Sequence, residues 1–199
     1  HFKDEHLKHA STTKEVTEAI KEIPKSKLVV LDNRIPTIDN AFLEIYQDFE
    51  NDIYQALTEG LDLIRKYKRL VITYPHQSVY PYPRRILHGF QKFCVEHKIE
   101  FEVIEMIYDD MILKEGDLFI TIGEEDLVNL VNQIHAQEFK LGEDIGVISY
   151  NDTPLKQLLG IACMSTDFRT MGETAARMIL NKTSQKVKNP FKFIPRESI

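Results

Sequence analysis

The sequence predicts an α/β fold built on a mostly parallel sheet. Three observations carry that expectation. Apolar runs of strand length, such as Leu28-Val29-Val30-Leu31, alternate along the whole chain with segments whose apolar residues recur at helical spacing. Polar and charged residues collect on the loops that follow the apolar runs, the edge at which parallel sheets bind ligands. Finally, 199 residues with 43% apolar and 28% charged side chains suffice for a sizeable core and exclude a disordered or low-complexity chain.

The elements follow in order. Thr13 to Ile23 is expected to be a helix, with Val16, Ala19, Ile20 and Ile23 on one stripe and Thr12 with Glu15 as a capping box. Lys27 to Leu31 reads as a buried strand and Phe42 to Tyr46 as a short second one. Glu50 to Tyr67 carries Ile53, Leu57, Leu61 and Ile64 at helical spacing, and Leu70 to Thr73 is the next strand. A loop rich in Pro and Tyr, His76 to Pro83, leads into a helix with Ile86, Phe90, Phe93, Cys94 and His97 inward. Phe101 to Glu105 and Leu118 to Ile122 are strands. Glu124, Glu125 and Asp126 then place three acids in the first turn of a helix, at the positive end of its dipole. Ile145 to Ser149 and Ile161 to Ser165 are strands, Phe168 to Leu180 a helix and Phe191 to Ile194 a closing strand. Right-handed crossovers put the carboxyl ends of such strands along one edge.

Charge and motifs narrow the chemistry. Against 31 acidic residues stand 25 basic ones, a net charge of −6, the wrong sign for a domain that grips phosphate backbones itself. No apolar run approaches the roughly 18 residues of a membrane helix. Cys94 and Cys163 lie far apart with no ligand spacing, and read as free buried thiols of a reducing cytoplasm. The phosphate-loop, dinucleotide, nucleophile-elbow and zinc-helix signatures are all missing. His6 and His9 lack a third ligand nearby, and Asp109-Asp110 and Glu124-Glu125 read as loop and helix-start residues. No metal and no cofactor are expected, and the chain is not expected to be an enzyme.

The candidate ligand-binding residues are Asp32, Asp48, Arg85, Glu125, Asn151 and Phe168, each placed just after a strand or at the start of the helix that follows one. Carboxylates, an amide and an Arg fork suit a polyhydroxylated ligand, whose hydroxyls both donate and accept. Phe168, Tyr46, Tyr80 and Tyr82 are candidates for an apolar platform under a sugar ring. The bland alternative reads Asp48, Asp126 and Asp167 as helix caps and Asn151-Asp152 as a turn.

Taken in order, three stretches resemble the effector-binding core of the lac-repressor/gal-repressor family. Gly146-Val-Ile-Ser-Tyr-Asn-Asp-Thr-Pro-Leu155 is similar to its strand and exit loop. Thr166-Asp167-Phe168 with Met171-Gly172 and Ala175-Ala176 is similar to its last helix, and Pro195-Arg196-Glu197-Ser198 to its closing motif. The chain departs from the family in carrying Glu125-Asp126 where Asn-Asp is usual, Asn151-Asp152 where Asp-Asp is usual, and Ile86 with Arg85 one position early. The resemblance implies a two-lobed, periplasmic-binding-protein-like (type I) fold with parallel sheets. Residues 1–48 plus 166–187 would form an N-terminal lobe, and 49–165 plus 188–199 a C-terminal lobe, with the ligand in the cleft between them. Residues of the family's first strand, helix and strand are not found before Thr13, so the N-terminal lobe is expected to be incomplete at its start and the chain to be part of a longer protein.

In function, the resemblance implies the ligand-sensing and dimerisation domain of a bacterial transcriptional regulator. The expected partners are a small effector (a neutral sugar first, a sugar phosphate second), a second copy in a homodimer, and operator DNA only through a missing N-terminal head. That head would be of the helix-turn-helix or the gluconate-repressor winged-helix kind. A periplasmic sugar-binding protein of a transporter shares the fold and stays open as the alternative. An enzyme on a doubly wound sheet is the third reading.

Overall fold

The computed structural model describes residues 14–32, 34, 42–75 and 82–199. The expectations that rest on His6, His9, Thr12, His76 and Tyr80 lie outside these residues. The described chain divides into two compact units, one holding residues up to Asp48 and Thr166–Pro190, the other residues 49–75, Pro83–Ser165 and Phe191–Ile199.

In the first unit, helix α1 (Lys14–Lys21) and a single 3-10 turn at Lys25–Lys27 precede strand β1 (Val29–Asp32) and strand β2 (Leu43–Tyr46). β1 pairs in parallel with β2, Asp32 opposite Tyr46. The other side of β2 pairs in parallel with a strand near the end of the chain, Gln185–Lys188. Helix Phe168–Leu180 covers this sheet, seating Met171, Ala175 and Met178 on Leu43 and Ile45. The stripe expected on α1 is not buried: Val16 is 37% and Ile23 41% exposed, and Thr17 is the residue turned inward. β1 likewise leaves Leu31 44% exposed.

The second unit holds a six-stranded sheet. Its elements in chain order are α2 (Phe49–Glu59), α3 (Leu61–Ile64), β3 (Arg69–Thr73), α4 (Arg85–His97), β4 (Glu100–Ile104), β5 (Asp117–Thr121), α5 (Glu124–Ala136), β6 (Gly146–Tyr150), α6 (Pro154–Leu158) and β7 (Ala162–Thr166). The covering helix of the first unit is then α7 (Phe168–Leu180), its last strand β8 (Gln185–Lys188), and β9 (Phe191–Ile194) returns to the large sheet. The strand order is β4-β3-β5-β6-β7-β9, and the pairs from β4 to β7 are parallel.

Strands β5, β6 and β7 are buried at every position, the pattern of a parallel sheet covered on both faces. On one face Val71, Phe119 and Val147 pack against Leu127, Leu130 and Ile134 of α5. On the other lie α2 and α4, which pack on each other with Ile53, Leu57, Phe90 and Phe93 fully buried. Each such side chain contributes about 1.5–3 kcal/mol relative to exposure.

The single helix expected over Glu50 to Tyr67 is broken at Gly60, a poor helix former, with the Phe193 ring 2.9 Å from where a Cβ would stand. The crossover from β4 to β5, residues 105–116, contains no helix, although parallel crossovers of this length usually do. Its backbone is held instead by one polar stripe of α5. Asp126 Oδ1 accepts from Ile107 N at 2.8 Å, Gln133 Nε2 donates to Tyr108 O at 2.7 Å, and Gln137 both accepts from Leu113 N and donates to Met111 O. Asp126 is therefore neither a cap nor a free acid of the first turn. The chain end is equally engaged: Ser198, fully buried, accepts from Ala162 N through Oγ at 2.8 Å and donates to Val147 O at 2.6 Å, bridging β6 and β7.

Gly89 marks the crossing of α2 and α4, where an added Cβ would stand 2.1 Å from Glu50 O and 2.5 Å from Ile53 Cγ2. Helix propensity alone would favour Gly89→Ala by about 1 kcal/mol. The close approach reverses the sign, and chemical denaturation is expected to show a loss of about 1–3 kcal/mol.

Candidate functional site

The carboxyl edge of the large sheet is built by adjacent strands. Thr121 of β5 lies opposite Ser149 of β6, and Tyr150 opposite Met164 of β7, so the exits of these strands are level. Three of the predicted residues follow strands of this sheet. Arg85 begins α4, after β3; Glu125 stands exposed in the first turn of α5; Asn151 follows β6 directly. Arg85 is 55% exposed in its side chain and its Nε lies 3.8 Å from Glu50 Oε2 on α2.

The loop after β6 is the most tightly specified part of this edge. Asn151 takes a left-handed conformation, φ 57°, which Asn tolerates better than most residues. Its N–H donates to Met164 O at 2.9 Å, and the Asp152 N–H donates to Ser165 Oγ at 3.0 Å. Asp152 receives a two-pronged bond from Arg196, Nη1 to Oδ1 at 2.9 Å and Nη2 to Oδ2 at 2.8 Å, while Nη1 also donates to Ile161 O at 2.6 Å. Thr153 caps α6, its Oγ1 accepting from Lys156 N, and Pro154 follows at the first helical position. Beneath the loop, the Lys156 ammonium donates to Tyr150 O and Asn151 O.

The remaining three predicted residues belong to the first unit. Asp32 ends β1 in a left-handed conformation, φ 75°, and its carboxylate accepts from the Gln47 side chain. Asp48 lies just past β2, directly before α2. Phe168 opens α7 and is 52% exposed. These meet one sheet edge too, because Asn189, just past β8, donates through Nδ2 to Asp167 O at 3.0 Å and through its backbone to Tyr46 O at 2.8 Å. Asp167 is a cap, its Oδ1 accepting from Thr170 N at 2.8 Å. The Tyr46 ring carries the Arg34 guanidinium 4.5 Å from its centroid, so that face is covered by a cation. Sequence reasoning did not single out the Asp152–Arg196 pair or Lys156. The Pro195-Arg196-Glu197-Ser198 motif was the one signal, and nothing in it says which acid the Arg meets.

The Arg196 guanidinium holds the Asp152 carboxyl below the usual carboxylate range, against a smaller opposing effect of burial. A depressed carboxyl contributes stability that is present above its unfolded value of about 3.9 and lost as pH falls through the lower folded value. Asp152→Asn is expected to cost about 1–3 kcal/mol at neutral pH, the usual range for a charge-assisted bond. The gap to the parent protein should close on acidification, read by urea denaturation across the acid range.

Residues 63–199 match the family of periplasmic binding protein-like domains. Among solved structures, the fold is similar to the Escherichia coli transcriptional repressor ascG, at a TM-score of 0.71 and 15% identity over 93% of this chain and 73% of that one. It is similar also to a LacI family transcriptional regulator from Lactobacillus casei with bound glucose, at 0.68 and 16% identity over 93% and 74%. A LacI family regulator from Arthrobacter in complex with lactose matches at 0.65 and 16% identity over 85% and 70%. By sequence, no curated protein matches the chain. The match to the family extends over well more than half of the residues, and the chain belongs to the periplasmic binding protein-like domain family, with the fold found in LacI-family regulators.

Proposed function

We propose that the chain is the ligand-sensing and dimerisation domain of a bacterial transcriptional regulator, binding a small sugar-like effector without chemistry. The observation that carries this reading is the loop from Tyr150 to Thr153, in which a left-handed Asn151 donates to Met164 O of β7 and accepts from Lys156, and the next residue, Asp152, is held by Arg196. Such pre-organisation suits recognition, because the ordering cost is met in folding rather than in binding. Arg85, Glu125 and Asn151 are the ligand contacts proposed on the second unit, and Asp32, Asp48 and Phe168 are those proposed on the first. Regulators of this fold have been seen with glucose and lactose, and Glu125 disfavours a purely anionic ligand, so a neutral sugar is the first choice. Binding selects among conformations of the chain, and a DNA-binding head before it reads that selection.

Two free, buried thiols, Cys94 and Cys163, support a cytoplasmic regulator over a periplasmic transporter component. Among the described residues no helix is long and apolar enough to cross a membrane, and no group of three or more His, Cys, Asp and Glu is arranged to hold a metal ion. Self-association is supported by α6 and its exit, where Leu155 is 70%, Leu158 80% and Leu159 64% exposed.

D-glucose, lactose and D-xylulose at millimolar concentration are expected to include one sugar that raises the thermal midpoint. Arg85→Ala and Asn151→Ala should abolish that rise while leaving the unliganded midpoint within a few degrees. Full stabilisation of both variants would show that these residues are not the contacts. Light scattering of the protein joined to its head is expected to report a dimer at micromolar concentration, and a monomer there would count against the dimerisation role.

A further inference from the structure

Lys156 is a lysine in a place where a charge is costly. Its side chain is 4% exposed, and burial holds its ammonium below the usual lysine range. A buried ammonium is tolerated only when its protons are satisfied. Here they are satisfied mainly by backbone: Nζ donates to Tyr150 O at 2.9 Å and to Asn151 O at 3.0 Å. The acid recorded within ion-pair distance is Glu124 at 3.9 Å, whose side chain is 73% exposed and therefore contributes little. Asp152, the other nearby acid, is already engaged by Arg196.

We propose that Lys156 is the positioning residue of the effector loop: its ammonium, clamping the carbonyls of Tyr150 and Asn151 from below, holds Asn151 in the left-handed conformation that presents its amide to the ligand. The two carbonyls are the last of β6 and the first beyond it, so the clamp sits where the ladder to β7 gives out. The left-handed state is disfavoured for a non-glycine residue, even though Asn tolerates it better than most. Two charge-assisted bonds offset that cost, since each is about twice as strong as a neutral one. Lys156 reaches the loop from the first turn of α6, which Thr153 and Pro154 start at a fixed register, so the same turn sets both the helix and the clamp. The clamp also draws the two carbonyls down toward the ammonium, which leaves the Asn151 side-chain amide as the polar group of that residue available to a ligand. The inference rests on reading this loop as an effector contact, and it adds a residue that touches no ligand.

The test separates the clamp from the ligand. Lys156→Met keeps the length and apolar body of the stem and removes the ammonium. By hydrogen exchange of the unliganded protein, the Asn151 and Asp152 amides should exchange at least tenfold faster in Lys156→Met, while the Ile120 amide in the centre of β5 is unchanged. Adding Asn151→Gly to Lys156→Met should restore slow exchange at 151 and 152, because glycine takes a positive φ without the clamp. Unchanged exchange in the single variant overturns the proposal. So does failure of glycine to rescue, including a double variant that does not fold, since Lys156 would then be holding the core rather than the loop. In the second arm, whichever of D-glucose, lactose and D-xylulose stabilises the parent should lose at least tenfold in affinity for Lys156→Met. The Asn151→Ala, Lys156→Met pair should lose no more than Asn151→Ala alone, whereas additive losses would refute action through Asn151. If none of the three sugars stabilises the parent, the effector reading fails while the exchange arm still decides the clamp.

Discussion

Parallel pairing is the constraint from which the rest of the structure follows. A parallel strand must be re-entered from the same end each time, so every exit loop of β3, β5 and β6 is delivered to one edge. Those exits carry Arg85, Glu125 and Asn151, residues far apart in sequence that the pairing alone aligns. The same constraint leaves strand-end carbonyls at that edge with no ladder partner, and polar side chains have to meet them. Lys156 meets those of Tyr150 and Asn151.

The sheet also has to be covered on both faces, and the two faces are covered by different means. One uses helix against helix, with Gly89 permitting α2 and α4 to approach closely. The other uses an extended crossover tied to α5 through Asp126, Gln133 and Gln137. A polar stripe facing backbone does here what an apolar stripe facing side chains does elsewhere. It is worth less per contact, but the crossover still buries Ile107 and Leu113 in the common core.

Where apolar periodicity decides structure, the sequence was legible. β3, β5, β6, β7 and α7 lie within a residue or two of their expected bounds, because each is a run that must be buried whole or on one face. β8 was not foreseen: Gln185-Lys186-Val187-Lys188 offers one apolar residue, and as the last strand of its sheet it is exposed at three of four positions. Lysines there are a device that discourages edge-to-edge pairing, which blunts the strand signal at the same time. The short α6 was also missed, since five residues, the first of them Pro154, carry no period. The six proposed contacts were legible as strand-exit residues, but their partners were not. Arg85 meets Glu50 of α2, and Asp152 finds Arg196 from 44 residues away. No local pattern encodes a pairing that only the sheet brings about.

The closing residues show how folding and sensing are joined. Arg196 fixes Asp152, and Ser198 bridges β6 to β7. The motif that suggested the family therefore acts on the loop from beneath it and need not touch any ligand. Ser198 locks the two strands whose ends define the edge, Arg196 anchors the residue after Asn151, and the shape of the loop then depends on how the end of the chain is seated. Asn151 is an amide at a position where the resembled motif carries a carboxylate. An amide offers both a donor and an acceptor, whereas a carboxylate only accepts. Under the proposed function, exchanging one for the other would change which hydroxyl orientation position 151 recognises, while the bonds made by Arg196 and Ser198 stay as they are.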